Sequence, residues 1–527
     1  MPRSSVPSRY RPLLFHYRPS GVRWSARRRP ARLRVANRLV PRLLSPVSNH
    51  SRIIGCASAL AAVFTAVGAQ RTETFDVDPQ WHAHNCRASK STGREVKQDF
   101  GFSSSTAHCG AKGEIGGFIQ PVAEPAFYAK AIPPRTLAEP LAASGKLVCA
   151  KGQGNTLIGF FNAGTLNEWR TPNTIALRIY GRGEVFYAYV EYATQKWRAG
   201  AGEFRTTETP TGKSTLRTFK SGNVVHTWSL EYNPLANGGS AAIKATLDGE
   251  ELVANLDPGH KADGAVFIRF GLLNVMKHFD GGGELWLDDV TVNGETHRFE
   301  ADPHWEGSNN RRTYTTRDVR PWFDFGFSPT HFARGKAPGE LGGLIFRGDG
   351  RSPELLAFYG DRLQALDLTR PLRASGKVAL LRAVSDSDTL IGFFHSDHSL
   401  DSGGTDRHGL PPDFLGISIG GPSREGFFFL PAYRIHGAEE RTASAGPHIY
   451  PNGQTHEWRL EYDPDAANGR GRVIVKLDGA AAGLEMESSH KTAGAHFNRF
   501  GLITTHRDGN GQRVYFDDLS YTFSQAE

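Results

Sequence analysis

One short segment, residues 167–198, brings together tryptophan, tyrosine, arginine and glutamate side chains. A sugar offers apolar C–H faces and many hydroxyl groups, so sites that bind it combine aromatic rings with charged hydrogen-bonding groups. Guanidinium groups also match the carboxylates and sulfates of uronic and sulfated sugars. The segment therefore predicts a site for a polysaccharide or oligosaccharide. The predicted substrate-binding residues are Trp169, Arg170, Arg178, Tyr180, Arg182, Tyr189, Trp197 and Arg198.

Two carboxylates of this segment, Glu184 and Glu191, are candidates for catalysis. A glycoside hydrolase needs two carboxyl groups, about 5–5.5 Å apart for retention and about 6.5–9.5 Å apart for inversion. Glu184 and Glu191 are separated by an odd number of residues on one strand, which leaves open whether they share a face. A polysaccharide lyase would instead use Tyr187 or Tyr189 as base, beside Arg178. The alternative is that the tyrosines and arginines only cover a solvated face.

Two strands joined by a tight turn are expected to position these side chains. Ile175, Leu177 and Ile179 alternate along the first strand, and we assign them to the core. Their alternates then face outward, together with alternate residues of the next strand. The side chains predicted to share that face are Arg178, Tyr180, Tyr187, Tyr189 and Glu191.

A second stretch, from His395 to His436, is rich in histidine and aspartate. Such a density of these residues can bind a metal ion or transfer protons, or it can belong to a solvated loop. We take His436 and Glu425 as candidate catalytic residues. The candidate substrate-binding residues are His395, Arg424, Tyr433 and Arg434. The other histidines and aspartates near the start of the stretch are Asp397, His398, Asp401, Asp406 and His408.

The two stretches lie at corresponding places in a repeated sequence. Gly113–Gly117 returns as Gly339–Gly343, and His226–Tyr232 returns as His456–Tyr462. The period is about 230 residues, far longer than in a solenoid, and each copy is large enough to bury its own core. The predicted parts are a leader (1–70), a first domain (71–295) and a second domain (296–527).

Short alternating apolar runs and frequent glycine predict β-structure. Trp228, Leu230 and Tyr232 share one face of a strand, and Asp248-Gly249 is typical of a hairpin turn. Many such strands in each copy favour an all-β chain of two tandem antiparallel β-sandwiches.

The repeated motifs also carry a resemblance. The order His-x-Trp-x-Leu-Glu-Tyr, Leu-Asp-Gly, Arg-Phe-Gly-Leu and Phe-Asp-Asp-Leu resembles the concanavalin A-like lectin and glucanase (LamG-like) jelly roll. The resemblance covers both copies and implies two curved sheets, with carbohydrate on the concave one. The laminarinase-related glucanases of that superfamily carry a Glu-x-Asp-x-x-Glu strand, which this sequence lacks. The resemblance therefore implies the fold and supplies no catalytic motif.

Residues shared by both copies are interpreted as scaffold. The acidic pairs Asp288-Asp289 and Asp517-Asp518 can satisfy backbone donors, or they can bind a structural Ca²⁺ ion through hard oxygen ligands. No other cofactor is expected, because no Cys/His set has the spacing of a metal site.

The net charge of +8 comes from the leader, which holds 13 arginines and no acid. The remainder has 49 basic and 54 acidic residues and no basic run, so no nucleic-acid partner is expected. The apolar run from Cys56 to Val67 is too short to span a membrane. It predicts a signal peptide that ends near Ala69 and a secreted or periplasmic protein, with residues 1–46 as a mis-assigned translation start.

Three cysteines follow the leader. Cys86 and Cys109 can pair in an exported protein, whereas Cys149 is predicted to be a buried free thiol. Three functions stay open: an exported glycoside hydrolase or polysaccharide lyase, a non-catalytic carbohydrate-binding protein with two copies for avidity, and a structural cell-surface protein.

Overall fold

The computed structural model describes residues 69–87, 93–152, 154–167, 170–206, 212–277, 279–320, 322–401, 409–421 and 424–523, all within one compact unit. Short helices join the strands. The α-helices are α1 (His260–Asp263) and α2 (Ser488–Ala493), and the 3₁₀ turns are Ala163–Thr165, Asn237–Gly239, Pro353–Leu355 and His398–Leu400. Within the described ranges, none of the helices is long and apolar enough to cross a membrane.

Strands dominate the described chain. The first seventeen strands are β1 (Gln70–Glu73), β2 (His82–His84), β3 (Arg94–Ser103), β4 (Glu114–Ile119), β5 (Phe127–Thr136), β6 (Leu141–Gly152), β7 (Asn155–Phe161), β8 (Thr174–Arg182), β9 (Val185–Ala193), β10 (Ala199–Glu203), β11 (Phe219–Lys220), β12 (His226–Asn233), β13 (Ala242–Leu247), β14 (Glu250–Asn255), β15 (Val266–Asn274), β16 (Gly283–Val292) and β17 (Glu295–His297).

The other fifteen strands lie between residues 306 and 522. They are β18 (Glu306–Ser308), β19 (Arg311–Thr316), β20 (Phe323–Ser328), β21 (Glu340–Phe346), β22 (Phe358–Asp367), β23 (Leu372–Ala383), β24 (Asp388–Phe394), β25 (Phe414–Gly420), β26 (Phe428–Arg434), β27 (Arg441–Thr442), β28 (Thr455–Asp463), β29 (Arg472–Leu477), β30 (Ala480–Glu485), β31 (His496–Ile503) and β32 (Gly511–Thr522).

These strands form four sheets, which pack as two sandwiches. In the first sandwich, sheet 1A has the order β14-β13-β12-β6-β16-β4-β3-β19 with β17 on β16, and sheet 1B has the order β10-β9-β8-β7-β15-β5-β18 with β11 on β9. In the second, sheet 2A is β20-β21-β32-β23-β28-β29-β30 with β1 on β32, and sheet 2B is β2-β22-β31-β24-β25-β26-β27. Neighbouring strands pair antiparallel, for example β8 with β9 and β25 with β26. The predicted all-β class is confirmed.

Each sandwich encloses one apolar core between its two sheets. In the first, Trp228 and Leu230 of sheet 1A meet Ile175, Leu177 and Ile179 of sheet 1B. The residues between them along the strands face away from this core, because successive side chains of a strand point to opposite faces. Two sheets packed in this way around one core are the arrangement that the concanavalin A-like resemblance implied.

A contact between a histidine and an aspartate supports the equivalent hairpin turn in each sandwich. His226 Nδ1 lies 2.6 Å from Asp248 Oδ2, and His456 Nδ1 lies 2.5 Å from Asp478 Oδ2. Asp248 and Gly249 have φ values of 52° and 80°. Two positive φ values are typical of the tight turn that joins twisted strands, here β13 to β14. These histidines and aspartates therefore support the hairpins.

The first strands of each copy join the sandwich of the other copy. β1 pairs with β32 and β2 with β22, both in the second sandwich. Conversely, β18 pairs with β5 and β19 with β3, both in the first sandwich. The pairing thus crosses the boundary at residue 295 that the repeat predicts. The chain exchanges its two starting segments, 70–87 and 295–316, between its sandwiches.

This exchange also separates two cysteines. Cys86 lies in the core of the second sandwich, whereas Cys109 packs on Trp286 in the first. Both are free, so the pairing considered from the sequence is not formed. Cys149 is also free and buried, as predicted, and burial raises the pKa of its thiol to about 11.

Candidate functional site

The outer face of sheet 1B carries the polar and aromatic side chains of strands β8 and β9. Arg178 pairs across the strands with Tyr189, and Tyr180 pairs with Tyr187. Glu191 pairs with Ala176 one step further along. Residues directly opposite in an antiparallel pair share a face. These five charged and tyrosyl side chains therefore lie together on the face opposite the core.

A nearly buried ion pair lies at the centre of this face. Arg178 Nε is 2.7 Å from Glu191 Oε1, and the two side chains are 11% and 4% exposed. The guanidinium carbon lies 4.2 Å from the centre of the Tyr189 ring. Asn155 Oδ1 accepts a further bond from Arg178 at 3.5 Å. Two buried charges are costly unless they are paired, so the guanidinium and the carboxylate hold one another in place as an ion pair.

Beside the ion pair, two tyrosines form a half-exposed aromatic surface. The rings of Tyr180 and Tyr187 lie 6.4 Å apart at an interplanar angle of 33°. The exposed Arg182 holds its guanidinium 4.6 Å from the Tyr180 ring centre. Burial raises the pKa values of Tyr180 and Tyr189, so both stay neutral near pH 7. We name Tyr180, Tyr187 and Arg182 the tyrosine surface.

The two carboxylates proposed for hydrolysis do not meet. Glu184 is exposed in the turn before β9, whereas Glu191 is buried within it. Seven residues of extended strand separate their backbones by about 20 Å, beyond the separation in any hydrolase pair. Arg170 is half-buried in the segment before β8, and Trp169 lies outside the described residues.

A second carboxylate on this face was not predicted. Glu203 pairs with Tyr189 and Ala201 pairs with Glu191, so the two glutamates are diagonal neighbours on β9 and β10. Diagonal residues have Cα atoms about 7–8 Å apart. Arg205 binds Glu203 at 2.6 Å. Ala201 and Glu203 are two residues apart in β10 and so share one face. This spacing is the feature of the sequence that could have predicted Glu203.

Trp197 and Arg198 lie between the sandwiches instead of on the tyrosine surface. Trp197 stacks on Tyr450 with ring centres 5.9 Å apart and packs against the core of the second sandwich. Arg198 Nε lies 2.6 Å from Asp263 Oδ2, and this bond raises the pKa of Arg198. Trp197 therefore joins the two sandwiches, whereas the side chain of Arg198 is bound by Asp263 within the first.

Tyr433 and Arg434 of the second sandwich are also structural. Tyr433 is fully buried in the core, where its hydroxyl lies 3.3 Å from His490 Nδ1. Arg434 is buried and donates to the carbonyls of Leu410 and Ala438 at 2.9 and 3.2 Å. Neither side chain is open to a substrate, which corrects the prediction from the sequence. The two residues are consecutive and lie on opposite faces of β26, but the outer face is also covered here, which alternation does not reveal.

Arg424 and Glu425 are exposed in the turn between β25 and β26. Arg424 Nε lies 3.5 Å from Asp257 of the first sandwich. Its carbonyl oxygen also lies 3.1 Å from Nε2 of His260. This turn therefore touches the first sandwich, and a catalytic role for the exposed Glu425 stays a prediction.

The histidine-rich stretch does bring three potential metal ligands together. His398, Asp413 and His436 each offer one ligand atom, and these atoms all lie within 4.8 Å of one another. His395 stacks on His398, and burial lowers the pKa of His395. Asp413 was missed from the sequence, although it directly precedes a strand as Asn173 does in the first copy. Asp406 and His408 lie outside the described residues.

The paired aspartates near the end of each copy contact backbone and lysine. Asp288 Oδ1 and Asp517 Oδ1 each accept the N–H of the next residue at 2.7 Å. The following Asp289 and Asp518 bind Lys146 and Lys377 at 2.7 and 3.0 Å. These bonds fit the scaffold interpretation. A calcium ion, which takes six to eight oxygen ligands, stays a prediction here.

Comparisons with protein-family models and with curated proteins give no match for this sequence. Among solved structures, mouse laminin alpha1 chain domains LG4-5 are 11% identical, with 81% of this chain and 91% of that chain covered and a TM-score of 0.21. The Emp47p carbohydrate recognition domain is 9% identical, with coverages of 40% and 92% and a TM-score of 0.25. The GH43 BlXynB protein from Bacillus licheniformis is 13% identical, with coverages of 67% and 65% and a TM-score of 0.22. The fold class rests on the strand topology described above.

Proposed function

We propose that this protein binds a polysaccharide, without cleaving it, through the tyrosine surface of sheet 1B. The observation that carries the proposal is the half-exposed Tyr180–Tyr187 pair beside the exposed Arg182. Tyrosine rings offer apolar faces to sugar C–H groups and hydroxyls for hydrogen bonds. The guanidinium adds a bidentate donor for a sugar hydroxyl or carboxylate.

The neighbouring ion pair supports binding and not catalysis. Glu191 is committed to Arg178 and nearly buried, so it does not offer a free carboxylate to a glycosidic bond. The exposed Arg182 then supplies the positive charge of this surface. A polymer with uronic or sulfated units is therefore favoured over a neutral one, and its binding should weaken with salt.

The test is retention in affinity gels that contain neutral, uronic or sulfated polysaccharides. Tyr187→Ala and Arg182→Gln are each expected to weaken binding by about tenfold, roughly 1.4 kcal/mol. Tyr314→Ala and Arg312→Gln are matched controls, because Arg312 lies 5.7 Å from the Tyr314 ring on sheet 1A. No retention on any polymer, or equal losses in the controls, would contradict the proposal.

Cleavage is the second candidate, favoured only by the diagonal pair Glu191 and Glu203. Reducing ends and the absorbance of unsaturated products should be followed on the same polymers. We expect neither signal from the wild-type protein. New reducing ends that disappear in Glu203→Gln would instead assign hydrolysis to this pair.

We include export in the same proposal, because an exported protein can reach a polysaccharide outside the cell. Strand β1 begins at Gln70, directly after the expected cleavage site, so cleavage there would leave this strand whole. N-terminal sequencing of the mature protein should begin at Gln70. A mature protein that begins far from this residue would contradict the signal-peptide interpretation.

A further inference from the structure

Three segments of the second sandwich meet at one end of sheet 2B. His398 lies in the 3₁₀ turn after β24, Asp413 directly precedes β25, and His436 follows β26. Asp413 is buried, whereas both histidines are exposed to solvent. The three residues are thus brought from separate parts of the sequence to one point that solvent can reach.

Asp413 is held by both of the neighbouring segments. Its Oδ2 lies 2.7 Å from Nδ1 of His398, and its Oδ1 accepts the backbone N–H of His436 at 3.0 Å. Its φ of 49° lies in the left-handed region, which residues other than glycine adopt rarely. Such a conformation persists only where its surroundings fix it. The carboxylate is therefore preorganised.

His395 supports the ring of His398 from the side. The two rings stack with centres 4.0 Å apart and planes 19° apart. Nδ1 of His395 accepts the N–H groups of Asp397 and His398 at 3.3 and 3.2 Å. A nitrogen that accepts such bonds carries no proton, so the proton is on Nε2. His395 is a positioning residue for His398.

The first sandwich carries equivalent strand positions with different side chains. The strand registers of the two sandwiches match at this point. In the same order, the equivalent positions hold Thr165, Asn173 and Gln195. There Asn173 donates to Thr165 Oγ1 at 3.3 Å, and Asn173 also has a left-handed φ of 60°. Three neutral side chains in one copy therefore correspond to three side chains in the other that can ligate a metal.

We propose that His398, Asp413 and His436 bind one divalent transition-metal ion of the zinc class. Two imidazole nitrogens with one carboxylate oxygen are ligands that zinc prefers, whereas calcium and magnesium take oxygen ligands. Ligand atoms of a tetrahedral zinc site lie about 3.3 Å apart. Nδ1 of His398 already lies within this distance of the Asp413 carboxylate, so the ion would take the place of the proton in that contact. The remaining ligand atoms need to close by at most about 1–2 Å.

Exposure of the two histidines leaves the fourth position of the ion open. A site with three protein ligands and one open position holds water or an oxygen of a ligand, as in zinc sites that act on substrates. A site with four protein ligands would be closed. The second sandwich thus carries a metal-dependent site for an oxygen-bearing ligand, separate from the tyrosine surface of the first.

The test uses the full chain without a histidine tag, freed of metal with a chelator. Zn²⁺ binding is followed by calorimetry, and Co²⁺ binding by its visible absorption, which reports tetrahedral coordination. We expect one ion per chain. His398→Ala and His436→Ala should each weaken binding by more than about tenfold. His304→Ala, with a side chain 88% exposed in the segment that joins the first sandwich, is the matched control.

Because His398 contacts the buried Asp413, thermal unfolding of the metal-free variants checks that the replacements leave the fold intact, and His436→Ala tests the site without removing that contact. Absence of stoichiometric Zn²⁺ and Co²⁺ binding by the wild-type chain would overturn the proposal. Equal affinity of His398→Ala, His436→Ala and His304→Ala for the ion would also overturn it. Because metal binding is measured without polysaccharide, neither result bears on the tyrosine surface.

Discussion

At the scale of single residues, two adjacent carboxyls in β32 face opposite environments. Asp517 is fully buried, and burial raises its pKa from 3.8 to about 6. For Asp518, burial alone would raise the pKa. The N–H of Lys336 and the ammonium of Lys377 outweigh that effect and leave the pKa below its ordinary value. The two positions therefore make opposite contributions to the pH dependence of stability.

We expect Asp517→Asn to stabilise the protein at neutral pH. A carboxyl whose pKa is higher in the folded state binds its proton more tightly there, so stability falls as pH rises from about 4 to about 6. A pKa displaced this far corresponds to about 3 kcal/mol. Urea unfolding between pH 4 and pH 7.5 should show that the variant lacks this decline and exceeds wild type above pH 6.

Asp518→Asn is the matched comparison and should act with the opposite sign. Its depressed pKa contributes stability above the unfolded value, and that contribution is lost as the pH falls. The variant should be less stable than wild type at pH 7.5 and approach it on acidification. The same sign of change in both variants would contradict the two environments described for this pair.

At the scale of elements, β8 and β9 show how far a sequence pattern reaches. Ile175, Leu177 and Ile179 mark the core face because strand alternation has a period of two, and the structure places all three in the core. The ion pair of Arg178 with Glu191 was not foreseen. A pattern of faces does not say which polar side chains on the outer face become buried against one another.

The Arg178–Glu191 pair should be strongly coupled. Removal of one partner leaves an uncompensated buried charge, at a cost of about 3–5 kcal/mol. Arg178→Ala and Glu191→Ala should therefore each destabilise the protein, and the double variant should lose clearly less than the sum. Denaturant unfolding of the complete cycle measures this coupling.

An exposed pair on the same sandwich is the control for that cycle. Lys244 and Glu251 bridge β13 and β14 at 2.6 Å, but their side chains are 44% and 51% exposed. Solvent screening limits such pairs to about 0–1 kcal/mol. Coupling in the buried pair no larger than in this exposed pair would show that the buried pair is not the fixed centre of the face.

At the scale of the whole molecule, the sequence predicted two sandwiches but not which strands belong to each. The starting segments carry the same residue types, with Phe75 and Trp81 in one and Phe299 and Trp305 in the other. Both pairs fill equivalent core positions, so the pattern is satisfied by either pairing. Only the path of the chain through space decides between them. Trp197 was misplaced for the same reason, since its partner Tyr450 belongs to the other sandwich.

The exchange makes each tryptophan stabilise the sandwich of the other copy. Trp81 stacks on Tyr359 of the second sandwich at 5.8 Å, and Trp305 lies 6.0 Å from Tyr128 of the first. Loss of a buried tryptophan costs about 3–5 kcal/mol. Trp81→Ala should therefore increase amide hydrogen exchange mainly in residues 323–522, and Trp305→Ala mainly in residues 94–292. If Trp81→Ala instead increased amide hydrogen exchange mainly in residues 94–292, each starting segment would belong in solution to the sandwich of its own copy.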